Sequence, residues 1–178
     1  MLNGEKVILR PLKIEDLDKT HEWRNNLELV KLTQGIRFPK TKEMDREWFD
    51  YVLNDKSNRN IYLGIDEIES GEFSGIISLN NIDWISGTCT YGLIVGDNEK
   101  QGKGYTKEAA KLLFRYAFNV LNLRKIQAQI IAINRPSIIL HKLMGGFKQE
   151  ALFKEHIYAD GKYEDMFIMA LLRNDFKY

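Results

Sequence analysis

The sequence predicts an α+β domain: a mixed central sheet of about seven strands flanked by about four helices. Three observations predict it. Read by hydrophobic periodicity, the elements run strand, two helices, three strands, helix, strand, helix, two strands. A central segment places Ala109, Ala110, Leu112, Leu113, Tyr116, Ala117, Val120 and Leu121 on one apolar face at 3.6 spacing. Two strand-like segments near the C-terminus, Phe147 to Tyr158 and Glu164 to Leu172, are joined by Ala159-Asp160-Gly161-Lys162.

Each element has a local reason. Lys6-Val7-Ile8-Leu9-Arg10 reads as the first strand, stopped by Pro11. Glu15 to Asn26 reads as a helix with Leu17, Trp23 and Leu27 among its apolar positions. Residues 41–54 read as a second helix, with Thr41 as N-cap, acids just inside it, and Trp48, Phe49, Val52 and Leu53 at helical spacing. Ile61 to Ile65 and Phe73 to Leu79 read as strands joined through Ser70-Gly71. Thr88 to Val95 follows a Ser86-Gly87 turn as another strand. Lys125 to Ala132 alternates, with Ile126, Ala128, Ile130 and Ala132 on one side. Ser137 to Met144 reads as a short helix after Pro136, ended by Gly145-Gly146. Phe147 to Tyr158 and Glu164 to Leu172 read as the final antiparallel pair.

Composition narrows the class. The 178 residues suit a single domain, 1–178, with a substantial core. A formal net charge of +1 gives no global field to gather nucleic acid or acidic membranes, so neither is expected as a partner. The single cysteine, Cys89, excludes an intramolecular disulfide and suits a reducing compartment. The N-terminus lacks a basic-then-apolar signal pattern, and no apolar run is long enough to span a bilayer. A cytoplasmic location is expected. No Cys/His metal spacing is present, so no metal is expected.

The run Gln101-Gly102-Lys103-Gly104-Tyr105-Thr106-Lys107-Glu108-Ala109-Ala110 lies between a strand and the central helix. Glycines at a helix start let an anion approach backbone N–H groups that have no intrahelical partner, and the helix dipole favours the charge. A pyrophosphate-bearing ligand is therefore expected near 101–106. A dinucleotide fingerprint fails, because Lys107 stands where its third glycine belongs. A Walker A loop fails, because Gly104 follows Lys103 and Asp97 takes the upstream glycine position.

The run resembles the acetyl-CoA signature of the GNAT superfamily of N-acetyltransferases, (Gln/Arg)-x-x-Gly-x-(Gly/Ala). Gln101 and Gly104 match, and Thr106 stands at the third position where Gly or Ala is usual. The flanking Gly-Asp97-x-Glu99-x-x-Gly-Lys-Gly-Tyr-x-x-Glu-Ala pattern is similar to the branch that holds the ribosomal-protein N-terminal acetyltransferases. The element order of the whole chain is also that of the family. The resemblance implies acetyl-CoA as donor and direct attack by a primary amine, with no covalent enzyme intermediate. It assigns the pyrophosphate to Gln101, Gly102, Lys103, Gly104, Tyr105 and Thr106. It assigns the pantetheine arm to the backbone of Leu93, Ile94 and Val95, admitted by a break between that strand and the one starting at Lys125.

Asn134-Arg135-Pro136-Ser137-Ile138-Ile139-Leu140-His141, followed by Gly146-Phe147, resembles the family's second cofactor-side motif. Asn134 is expected to cap the helix or bind the pantetheine arm. Ser137 matches a serine near the thioester in related enzymes, and its alternative is a first-turn helix residue. His141 replaces a tyrosine whose hydroxyl protonates the thiolate. An imidazolium there would be the acid, a neutral ring would hydrogen-bond to sulfur, and the alternative is a packed histidine. Thr90 and Tyr91 stand where several relatives carry a carboxylate base, so the base is left open between a water ordered by backbone carbonyls and a residue such as Asp83 or Glu155.

The expected acceptor is first a small-molecule amine and second a peptide N-terminus. Trp23-Arg24-Asn25 and Gly87 to Leu93 resemble enzymes that acetylate nucleotide-linked amino sugars. Phe118 to Leu123 resembles spermidine acetyltransferases, but Ile36-Arg37-Phe38-Pro39-Lys40 is basic, and a polyamine site wants carboxylates. A homodimer is compatible with the resemblance. A CoA-binding module without turnover is the competing class, motivated by Thr106, His141 and the missing base. A nucleotide-binding protein is a third.

Overall fold

The computed structural model describes residues 1–33, 38–96 and 104–177. Its strands are β1 (Leu2–Asn3), β2 (Val7–Pro11), β3 (Ile61–Glu67), β4 (Phe73–Asp83), β5 (Thr88–Val95), β6 (Lys125–Ile131), β7 (Lys148–Ala159) and β8 (Lys162–Leu172). The α-helices among the described residues are α1 (Leu17–Asn25), α2 (Leu27–Val30), α3 (Lys42–Leu53), α4 (Tyr105–Asn119) and α5 (Arg135–Met144). The strands form one eight-stranded sheet in the order β1-β2-β3-β4-β5-β6-β8-β7. Every pairing is antiparallel except β5–β6.

The expected mixed sheet is therefore present, with β1 and α2 as additions. Both are too short to leave a periodic signature. The first helix begins at Leu17 rather than Glu15, because a 3-10 turn over Ile14–Asp16 precedes it. Arg10 draws that turn inward by pairing with the Asp16 carboxylate at 2.7 and 2.8 Å. The central helix stops at Asn119, so Val120 lies outside it and is exposed. Phe114 and Phe118 take the buried positions instead. Thr41 caps α3 as expected, its hydroxyl accepting from Met44 N–H at 3.3 Å. Asp160 and Gly161 both have positive φ, 54° and 84°, the pair of left-handed residues that a tight β7–β8 hairpin requires.

The sheet has two covered faces. On one, α4 packs Ala109, Ala110, Leu113, Phe114 and Ala117 against Ile77, Leu79, Cys89, Tyr91 and Ile126. On the other, α1 and α3 place Leu17, Phe49 and Val52 against Phe73 and Ile76, with Trp23, Trp48 and Tyr62 around them. The alternation of each strand then assigns every side chain to one face.

Candidate active site

The β5–β6 junction opens the sheet. Those strands pair only at Thr88↔Lys125, Cys89↔Ile126 and Thr90↔Gln127. Beyond Thr90, β5 stays in register with β4 through Val95↔Gly75, while β6 follows β8 to Ile131↔Met166. Each strand keeps its antiparallel partner, and the two separate into a wedge. The expected break is present, and Leu93, Ile94 and Val95 lie along its β5 edge.

The N-terminus of α4 follows. Gly104 is its N-cap, with φ 84°, a conformation that a side chain at this position would strain. Tyr105 and Thr106 form the first turn. Gln101, Gly102 and Lys103 lie outside the described residues. The wedge and this glycine-capped fifteen-residue helix fit a ligand with an extended polar arm and a phosphate end. Glu108, in the helix's first turn, holds the start of the chain: its carboxylate accepts from the backbone N–H of Glu5, Lys6 and Val7 at 2.7, 2.9 and 3.1 Å. In the sequence Glu108 stands only as part of the loop pattern. Its signal was an acid in a helix's first turn, which also reads as simple dipole complementation.

The α5 residues form a connected set. Asn134 caps α5 by accepting from Ser137 N–H at 3.0 Å, and its amide donates to Leu32 C=O at 2.8 Å. It thereby ties α5 to the turn after α2. Ser137 stands in the first turn of α5, its hydroxyl 3.4 Å from His141 Nδ1. His141 Nδ1 is also 2.7 Å from Ser137 C=O. A carbonyl only accepts, so Nδ1 carries the proton and the neutral ring presents a bare Nε2. Among the described residues that atom is buried without a hydrogen-bond partner, as is the Tyr91 hydroxyl. The imidazole meets Phe147 and Tyr91 edge-on, with ring centroids 4.7 and 5.8 Å apart. Burial pushes its pKa below the usual histidine value, against the lift from Ser137 C=O. These surroundings favour neutral imidazole over the imidazolium acid.

The opposite face of the wedge is lined differently. Tyr91 points to Phe114 of α4, so Thr90 and Gly92 point to the α1/α3 face. Ser78 and Asn80 share that face, where Asn80 Nδ2 donates to Ser78 Oγ at 2.8 Å. They fill the space above Gly92, whose Cβ would lie 2.7 Å from Ser78 Oγ. Gln127 faces the same way, since Ile126 and Ala128 belong to the α4 core. Asn80 lies within β4, which continues past Leu79, where the sequence pattern ends the strand, to Asp83. Asp83 accepts from Ile85 and Ser86 N–H, both at 2.9 Å, and these bonds hold its carboxyl below the usual range, a poor setting for a base.

The Trp23-Arg24-Asn25 run braces this side. Trp23 lies against Gly96, where an added Cβ would fall 1.8 Å from the indole, and packs on Phe73 at 5.1 Å. Arg24 reaches the fully buried Asp45 at 3.0 Å and lies over Trp48. His21 Nδ1 meets the other Asp45 oxygen at 2.6 Å. Asn25 holds the Lys40 backbone by two hydrogen bonds, 2.8 and 3.2 Å. Asp45 was missed because an acid in the first turn of α3 reads as an exposed dipole partner.

Comparison with known proteins gives the same frame. Residues 6–146 match the family model described as acetyltransferase (GNAT) domain. An uncharacterized N-acetyltransferase, p20, of Bacillus licheniformis is 29% identical, covering 98% of this chain and 97% of its own. The spermidine N(1)-acetyltransferase of Escherichia coli K12 is 27% identical, covering 99% and 91%. The crystal structure of spermidine N-acetyltransferase from Vibrio cholerae in complex with CoA and spermine superposes with a TM-score of 0.86 at 22% identity, over 97% of this chain and 98% of that one. Among the described residues, no three His, Cys, Asp or Glu side chains gather where a metal would sit, and no helix is long and apolar enough to cross a membrane. With a family model spanning most of its length and a matching fold, the chain belongs to the GNAT acetyltransferase family and is an N-acetyltransferase that takes its acetyl group from acetyl-CoA.

Proposed function

We propose that the chain acetylates the primary amine of a small molecule that also carries an anionic group, a nucleotide-linked amino sugar being the class expected. In this reading, the α4 N-terminus with Gln101 to Thr106 holds the pyrophosphate. The pantetheine arm lies along Leu93 to Val95. The amine arrives from the α1/α3 face and attacks the thioester carbon directly. The developing oxyanion is met by backbone N–H groups at the wedge.

One observation carries the acceptor class: the charge of that face. Ser78, Asn80, Thr90 and Gln127 beside the wedge are neutral. On the α1/α3 side Arg24 is paired with the buried Asp45, and the Lys40 ammonium pKa is held low by burial and the Arg24 charge, against the lift from Asp45. A polycation finds no carboxylate among these four side chains, and the basic Ile36-Arg37-Phe38-Pro39-Lys40 segment of the sequence favours a phosphate or carboxylate on the acceptor. The spermidine acetyltransferases among the relatives support a second reading, a polyamine acceptor. The relative described as a putative ribosomal N-acetyltransferase, YdaF of Bacillus subtilis, 27% identical over 98% of the chain, supports a peptide N-terminus and the ribosomal-protein branch more weakly. The same reading takes residues 1–178 as one catalytic domain working in the cytoplasm, and a homodimer is checked by sedimentation.

The test is thiol release from acetyl-CoA with nucleotide-linked amino sugars, aminoglycosides, polyamines and short peptides. Turnover of the anionic amines with the highest kcat/KM supports the proposal. Preference for spermidine or spermine overturns it in favour of the second reading. Acetyl-CoA binding without turnover of any amine favours the non-catalytic module.

A further inference from the structure

Asn80 Oδ1 is a carbonyl oxygen shut away from solvent with no hydrogen-bond partner among the described residues. Native proteins retain few such atoms, and those they retain often serve a ligand. Its position is specific. Asn80 stands opposite Thr90 in the β4–β5 register. Thr90 is in turn the last β5 residue paired to β6 before the wedge opens. The orphan oxygen therefore sits at the apex of the wedge, on the face where α1 and α3 lie.

The surroundings fix how the amide points. Its Nδ2 donates to Ser78 Oγ at 2.8 Å, and Ser78 is itself buried. Gly92, opposite Ser78 in the register, leaves the room that both polar side chains occupy. With the nitrogen held by Ser78, the oxygen is the end left for a partner. The partner must be a donor. No carboxylate stands at Thr90 to receive the attacking amine, and Asn80 projects from the neighbouring strand at that level.

We propose that Asn80 Oδ1 is the hydrogen-bond acceptor that seats the attacking amine, in place of a carboxylate on β5. This rests on the reading of the α1/α3 face as the acceptor side. In the step, the amine lone pair forms the C–N bond. The C–S bond breaks with its electron pair on sulfur. The amine gives a proton to solvent, and the thiolate regains one from solvent. Asn80 takes no proton. It accepts a hydrogen bond from a nitrogen that becomes positive as the bond forms, so the contact strengthens toward the transition state. An uncharged acceptor leaves the bound amine's basicity less raised than a carboxylate would, which keeps it neutral and nucleophilic at lower pH.

The experiment compares Asn80→Ala, Asn80→Asp and Ser78→Ala with wild type, using the best amine of the panel. It reads kcat/KM for that amine, the Kd of acetyl-CoA by calorimetry, and Tm. Asn80→Ala is expected to lose about ten- to hundredfold in kcat/KM for the amine, with the acetyl-CoA Kd unchanged. Asn80→Asp keeps an acceptor oxygen and is expected to retain more activity than Asn80→Ala. Ser78→Ala frees the amide and is expected to fall between wild type and Asn80→Ala. A kcat/KM for Asn80→Ala within twofold of wild type would overturn the proposal alone. So would an Asp variant worse than the Ala variant, since that would make the Asn80 N–H the working group. Absence of wild-type turnover with every amine, acetyl-CoA still binding, would overturn the proposed function and this proposal with it.

Discussion

Replacing Glu108 by Ala removes the link between α4 and the segment from Glu5 to Val7 that leads into β2. The carboxylate accepts three backbone N–H bonds, two exposed at 2.7 and 2.9 Å and one part-buried at 3.1 Å. Hydrogen bonds to an ionised group reach about 1.5–3 kcal/mol when sheltered and much less when exposed. Taking about 1.5 kcal/mol for the sheltered bond and about 0.5 kcal/mol for each exposed one gives about 2.5 kcal/mol. The better helix propensity of Ala returns only a few tenths of this. At this chain length each kcal/mol moves Tm by about 2–4 °C, so the expected fall is about 5–10 °C. Glu108→Gln keeps one acceptor oxygen and is expected to lose about half as much. Thermal unfolding followed by circular dichroism measures both. A fall below about 2 °C for the Ala variant would refute the clamp, because three lost acceptors cannot cost so little unless water replaces the carboxylate fully.

Asp45→Asn leaves the Arg24 guanidinium, mostly buried, without its counter-charge. A loss of about 3 kcal/mol in urea unfolding is expected, and a loss under about 1 kcal/mol would show the pair to be solvated. Because His141 has a folded pKa below its unfolded one, the unfolded chain takes up the proton first as pH falls. Stability is expected to drop as pH falls from about 6.5 toward the folded value, and His141→Phe is expected to flatten that part of the Tm–pH curve. An identical slope in both proteins would remove the effect. Burial pushes the Cys89 thiol up to about 12, so native protein is expected to resist a disulfide reagent at pH 8 and to react once unfolded. Rapid native labelling would contradict the packing around β5.

Legibility in the sequence followed the range of the interactions. The α3 cap, the Asp160-Gly161 turn and the Ala109, Ala110, Leu112, Leu113 and Ala117 part of the α4 face are set within a few residues, and each stands where the sequence put it. The end of α4 was misjudged because Val120 and Leu121 continue the helical period past the point where the chain turns at Asn122, φ 58°. Asp45 and Glu108 show in the sequence only as acids in the first turns of their helices, because their partners lie on other elements. Glu108 bonds to residues more than a hundred positions away. His141 was placed in the correct helix, but its tautomer depends on Ser137 C=O and its basicity on Tyr91 and Phe147, which only the packed structure brings to it.

The three-residue β5–β6 contact has a mechanical consequence. It is the seam between two antiparallel half-sheets, β1 to β5 and β6-β8-β7, and the chain crosses it through α4 and the Asn122 turn. Little backbone pairing joins the halves; what joins them is the shared apolar layer of Phe114, Phe118, Leu123 and Ile126. A chain divided at that turn would yield two pieces, each with its own strand ladder and half of one oily face. Such pieces reassemble by burying that face, without having to re-form a long ladder. A molecule lodged in the seam touches both pieces and acts as their rivet. In the proposed placement of the pantetheine arm along Leu93 to Val95, the donor would therefore be a thermodynamic fastener of its own groove as well as a reactant.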